Sequence, residues 1–174
     1  MADIPHHPPT CHDPRAAVCG LSCEVCSVSI ATREDPKRWQ YIATAKGLSL
    51  SEASCHGCRS ENRYGPCATC FMTRCAAERG VAFCGDCPEN PCDTLRQFQA
   101  AMPHRAELWE SQALLREKGL AAWCHGIRQD YACPSCGTIN SAYDLSCRAC
   151  GHTPSCPFVE RHEEKIRAHL GRPK

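Results

Sequence analysis

Apolar positions recur with a helical period in several stretches separated by turn residues. Asp35 can cap a helix whose first turn holds Pro36; Trp39, Ile42 and Ala43 then share a face, and Gly47 supplies the stop. Ser49-Leu50-Ser51-Glu52 has the reciprocal Ser-x-x-Glu form of a capping box and predicts one turn leading into Cys55. A short helix is expected over 72–79, ended by Gly80. Further on, Asp93 or Thr94 can cap a helix with Leu95, Phe98 and Met102 on one face, and Pro103 breaks it. Leu108, Trp109, Gln112 and Leu115 form the next stripe, extended after Gly119 by Leu120, Trp123 and Ile127, which reads as core or interdomain contact. A charged helix is expected through Leu170, while Tyr131 and Tyr143 suit short strands.

Cysteine changes this picture. The chain has 18 cysteines in 174 residues but only 4 Phe, 4 Tyr and 3 Trp, so its apolar core is thin for its length. Twelve of the cysteines form six Cys-x2-Cys pairs: 23/26, 55/58, 67/70, 84/87, 133/136 and 147/150. Two residues between thiolates let both sulfurs reach one ion, so metal sites are expected to supply much of the folding free energy, about 10 kcal/mol or more per structural zinc. No basic segment followed by an apolar core opens the chain, and no run reaches the roughly 18 apolar residues of a membrane span. A cytoplasmic protein with reduced thiols is therefore expected. The net charge of +1 disfavours nucleic acid as a partner and offers nothing to a membrane surface.

The clearest constellation is Cys133-Pro134-Ser135-Cys136-Gly137 followed by Cys147-Arg148-Ala149-Cys150-Gly151. It predicts a zinc ribbon with a closed tetrahedral site, each glycine turning the backbone around its sulfurs. Upstream, Cys67-x2-Cys70-x4-Cys75 is repeated as Cys84-x2-Cys87-x4-Cys92, and Cys19, Cys23, Cys26, Cys55 and Cys58 complete a set of eleven. Eleven does not divide into fours. A histidine such as His56 or His12, or Cys11, could complete a set, or some cysteines could serve packing alone. Cys124 and Cys156 lack close partners and read as small buried hydrophobes. Cys19-x3-Cys23-x2-Cys26 matches the three-cysteine spacing by which radical-SAM enzymes hold a [4Fe–4S] cluster, although no barrel pattern surrounds it. Hydrolase, phosphate-loop, metalloprotease and dinucleotide motifs are missing, so a non-enzymatic role is favoured.

The order Cys19-Gly20-Leu21-Ser22-Cys23-Glu24-Val25-Cys26, Ile30-Ala31-Thr32, Cys55-His56-Gly57-Cys58, Cys67, Cys70, Arg74-Cys75, Gly80-Val81, Cys84, Cys87 and Pro91-Cys92 resembles the bacterial and archaeal family called domain of unknown function 3795. Residues 119–123 and 131–134, with the ribbon, resemble the C-terminal part of longer members. The resemblance covers most of residues 18–151 and implies a metal-binding fold without a settled activity. Many members come from anaerobic or metabolically versatile prokaryotes, which favours iron–sulfur chemistry alongside zinc.

These readings give a small, metal-stabilised α+β protein: a flexible tail rich in proline and histidine over 1–17, an α-rich cysteine-cluster domain over 18–100, a helical connector over 101–130, a β zinc ribbon over 131–157 and a charged helix or tail over 158–174. The expected function is multi-site zinc binding in a structural module that meets a protein partner. The alternative is an iron–sulfur redox or electron-transfer protein with one or two clusters among Cys19–Cys92 and zinc in the ribbon. A basic C-terminal end that binds nucleic acid ranks below both, because Glu160, Glu163 and Glu164 offset Arg161, Lys165 and Arg167.

Overall fold

A computed structural model describes residues 15–171, which form seven α-helices and two 3-10 turns. The first helices are α1, Ser27–Glu34, and α2, Pro36–Lys46, which pack against each other. The Asp35 side chain accepts the Arg38 N–H at 3.0 Å, and Gly47 ends α2 with a φ of 62°. Ser49 and Glu52 exchange both hydrogen bonds of a capping box, and the single turn expected there, closed by Ala53 N–H on Ser49 O at 3.0 Å, leads into Cys55.

Helices α3, Gly65–Ala68, and α4, Phe71–Glu78, carry the first triplet of the cysteine repeat, and a 3-10 turn, Cys84–Asp86, opens the second. Helix α5 spans Asp93–Ala100; its N-cap is Cys92, with no side-chain cap, so the capping role expected of Asp93 or Thr94 is not used. After the 3-10 turn Pro103–Arg105 comes α6, Leu108–Tyr131, and finally α7, Pro157–Leu170. Gly119 is non-helical inside α6, at φ 77° and ψ 175°, so the stripe expected to continue past it runs over two helical halves, 108–118 and 120–131, the second folding back to bring Trp123 onto Ser111.

The α+β class with a β ribbon is overturned. Among the described residues no sheet forms; two isolated bridges pair Ala16 with Ser22 and Ala132 with Ile139. Tyr131 is taken up as the last residue of α6 and Tyr143 sits in a turn. The cysteine segments spend their backbone N–H groups closing loops on themselves: Cys133 N bonds Thr138 O and Gly137 N bonds Cys133 O, and the same pattern joins Cys147, His152 and Gly151. Donors used in this way are not available for a strand ladder. The fold is helical, with loops where the cysteines lie.

Three buried clusters hold it together. Tyr131, Phe158, Val159 and Ile166 pack with Val25, and the Tyr131 and Phe158 rings stack at 4.8 Å. Leu95 and Leu108 pack on Cys19 and Cys23. Trp123 is fully buried with Ala16, Phe83 and Leu115. Cys156 lies in the first cluster and Cys124 packs against the third, in keeping with apolar roles. Of the expected tail, Cys11, His12 and the earlier histidines lie outside the described residues, while Ala16 and Ala17 are buried. No helix among the described residues is long and apolar enough to cross a membrane.

Candidate metal centres

The C-terminal centre is built from two similar loops. In each, the N–H after the second cysteine closes on the first cysteine's carbonyl, at 2.8 Å for Gly137 and 2.9 Å for Gly151. Their φ values of 73° and 76° lie in the left-handed region open to glycine. The loops face each other so that the sulfurs of Cys133, Cys136, Cys147 and Cys150 all lie within 4.8 Å of one another. Cys133 and Cys150 are 3.6 Å apart, and Cys136 and Cys147 3.7 Å. One ion bonded tetrahedrally to four sulfurs at about 2.3 Å would set them about 3.8 Å apart, so the four fit a single metal ion.

Asn140, fully buried, fixes the two loops to each other. Its Nδ2 donates to Thr138 O at 2.9 Å and Ser155 O at 3.2 Å and lies 3.7 Å from the Cys147 sulfur, while its Oδ1 accepts the Arg148 N–H. Burial tends to raise the Cys147 thiol, but N–H groups of Cys150 and Ala149, with Cys136 and Asn140, outweigh it and bring the thiol down to about 6. Hydrogen bonds from the Thr138 hydroxyl and N–H hold Cys136 below its usual range. At Cys150 the His152 N–H pulls downward, yet the sulfurs of Cys136, Cys133 and Cys147, together with desolvation, push it up to about 11. Crowded negative charge of this kind is what a cation would relieve.

The N-terminal cysteines divide by place. Cys19, Cys23, Cys26, Cys55, Cys58, Cys67 and Cys70 line one cavity of about 590 Å³. Cys75, Cys92 and Cys87 instead gather near Cys84, whose thiol is pushed up to about 12 by burial, by these neighbours and by Cys70, so that the two groups adjoin at Cys70, Cys19 and Cys84. Arg79 lies against this second group, with Nη1 3.9 Å from the Cys87 sulfur, and pairs with Glu89 at 2.7 Å. Seven and four thus account for the eleven. The tight grouping seen at the C-terminus does not recur: among the described residues no other three or more metal-ligating side chains come within 4.8 Å of one another.

The cavity's cysteines come from three segments, 19–26, 55–58 and 67–70, and are set by long-range contacts. The Cys58 N–H donates to the Cys23 sulfur at 3.2 Å, and its side chain and the arginines Arg33 and Arg59 help bring the Cys23 thiol down to about 7. Burial pushes Cys19 up to about 12 and Cys67 up to about 11. Cys26 has open surface on the cavity wall, but desolvation still raises it against the N–H groups of Ser29 and Val28 at the start of α1. Arg105 enters the same wall, its guanidinium 3.5 Å from the centre of the Phe98 ring.

Helix α6 holds this arrangement through Gln112, which is buried. Its Nε2 donates to Cys19 O at 2.7 Å and its Oε1 accepts from Asn90 Nδ2 at 2.9 Å; the same Asn90 nitrogen donates to Cys84 O. Gly20 and Gly85, each following a cysteine, both abut Gln112, and a Cβ on Gly20 would lie 2.7 Å from Gln112 Cγ. Ser111 adds a bond to Gly20 O at 2.6 Å and accepts the Trp123 indole N–H at 2.7 Å. Sequence reasoning placed Gln112 on an apolar stripe without a role and passed over Asn90 and Asn140. A polar residue inside an apolar stripe was the available signal for Gln112; nothing local marked the two asparagines. His56, weighed as an extra ligand, is exposed, as is His152 beside the C-terminal set, and His162 bonds Glu107 at 2.8 Å.

The fold and its thiol groups define a helical, cysteine-rich protein with a four-cysteine set able to bind a metal ion. Within it, residues 15–97 match the family described as protein of unknown function (DUF3795). The match ends before α6, so the C-terminal resemblance is not supported by it. No curated protein and no solved structure matches the chain.

Proposed function

We propose that this is a multi-site metal-binding protein in which Cys133, Cys136, Cys147 and Cys150 hold one zinc ion whose role is structural. The observation that carries the reading is the convergence of four sulfurs within 4.8 Å on two self-closing loops. Four soft thiolates in tetrahedral reach favour zinc, and four protein ligands leave no position for water or substrate.

The position of the site says what its metal would do. Residues 132–156 contain no helix, so little regular backbone bonding holds them. They nevertheless present Arg148 to Glu34 and Asp144 to Arg38, the latter pair at 2.7 Å, across to α1 and α2. A metal that fixes the loops would fix these ion pairs and dock the segment on the N-terminal half. On this reading the chain is a structural module that meets a protein partner, with the near-neutral charge offering no footprint for nucleic acid.

Zinc counted on the purified full chain tests it. One tightly held zinc per chain that is lost in Cys136→Ser and Cys150→Ser supports the reading; zinc retained in both variants refutes it.

A further inference from the structure

We propose that the N-terminal cavity is the seat of a polynuclear iron–sulfur cluster, a [4Fe–4S] centre held by Cys23, Cys26, Cys55 and Cys67. The inference rests on the reading of the chain as a metal-binding protein, but uses none of the four C-terminal cysteines.

The contrast in geometry carries it. A single ion needs sulfurs about 3.8 Å apart, and the C-terminal set meets that distance. The seven cavity thiols share the wall of a space of about 590 Å³ with apolar side chains such as Phe98, Met102 and Trp123, and they make no such tight group. Thiols spread around a space suit a centre that brings its own bulk, in which each sulfur bonds a different iron and bridging sulfides fill the middle.

Within the seven, the thiols converge unequally. Cys67 lies close enough to Cys26, Cys55, Cys70 and Cys23 to feel their charge, and Cys26 likewise feels Cys23 and Cys55; Cys70 also lies beside Cys19 and Cys84, which leaves Cys23, Cys26, Cys55 and Cys67 as the mutual set. Cys23 receives the Cys58 N–H at 3.2 Å, the kind of bond to sulfur that tunes such centres. Cys26 lies at the N-cap of α1, with N–H groups of Val28 and Ser29 directed at its sulfur. These groups and the cationic side chains Arg33, Arg59 and Arg105 offset the negative charge that four thiolates would bring into the cavity.

Binding is a ligand exchange. Four Cys S–H bonds break and four Fe–S bonds form to a preassembled [4Fe–4S] core delivered whole, whose four outgoing thiolate ligands take up the protons. No electron moves in the exchange. Cys19, Cys58 and Cys70 remain as packing and hydrogen-bonding neighbours, which predicts that their loss perturbs the centre without abolishing it.

The test is anaerobic purification of the full chain, with a preassembled, small-thiolate-ligated [4Fe–4S] cluster added if the host leaves it underloaded, followed by iron, acid-labile sulfide and zinc analysis and a visible spectrum. Iron and sulfide in equal amounts, broad visible absorption that bleaches with dithionite, and loss of both in Cys26→Ser and Cys67→Ser but not in Cys75→Ser are expected. Cys133→Ser should lose zinc and keep iron, so failure of the zinc reading and failure of this one are separable. Zinc in place of iron, a wild-type chain that takes up no sulfide, or a centre unchanged in Cys26→Ser and Cys67→Ser would overturn the proposal. If the serine variants do not fold, the wild-type iron and sulfide content decides alone.

Discussion

The C-terminal loops and the N-terminal cavity are both built on Cys-x2-Cys pairs, yet they collect sulfur differently. In the loops, two pairs close on themselves by local hydrogen bonds and need only to face each other, so four sulfurs come within 4.8 Å. In the cavity, sulfurs come from three segments, and the backbone at Cys19 and Gly20 is held by Gln112 and by Ser111 with Trp123 in α6, outside the residues that match the family. The same spacing therefore gives a compact site where the turns are local and an open one where the tertiary frame decides.

The comparison can be broken from the local side first. Cys147→Ser should abolish zinc binding and release residues 132–156, at a cost on the order of the ~10 kcal/mol attributed to a structural zinc. Hydrogen exchange should show protection lost there and on α7, whose Phe158 packs on Tyr131, and retained on α4. Equal loss in both regions would mean that the two halves are one cooperative unit.

From the other side, Trp123→Ala should cost about 3–5 kcal/mol, because the indole is fully buried and bonds Ser111. Denaturant melts would show the lowered midpoint, and zinc retention by the folded variant would separate it from the first case.

A pH titration sharpens the boundary between the regions. His104 bonds Tyr143 at 2.5 Å, and burial, with Arg105 and His169 beside it, lowers its pKa to about 4. The unfolded chain, with a histidine near 6.5, takes up the proton first. Stability from this group is thus complete above pH ~6.5 and falls as pH drops toward 4, by at most ~3 kcal/mol. Comparing melts of the wild type and His104→Gln across that window isolates the term; parallel curves would remove it.

Smaller effects belong to the turns. Gly20→Ala, at φ 94° and against Gln112, should cost about 1–3 kcal/mol and disturb the cavity before the loops. Asp35→Ala should cost about 1 kcal/mol through the lost cap, with neither centre altered. Both are measurable by thermal melts with metal content checked on the same samples.

What could be read in advance follows the same division. The caps at Asp35 and Gly47, the stop at Gly80 and the four-cysteine set all depend on residues close in sequence, and each appears where local chemistry puts it. The ribbon strands failed because tyrosines with strand propensity were claimed by α6 and by a turn tied down by Arg38 and Asp144, a contact across 106 residues. The grouping of the eleven upstream cysteines was illegible for a related reason. Spacing says that a pair can share an ion, but whether pairs meet is set by Asn90, Gln112 and Arg59, whose partners lie 6 to 93 positions away.

X-ray absorption at the zinc and iron edges of one anaerobic sample addresses the difference between the two regions most directly. The account predicts zinc surrounded by four sulfurs at about 2.3 Å with no metal neighbour, and iron with a sulfur shell and a second shell of iron. Zinc alone, or iron without an iron neighbour, would contradict it.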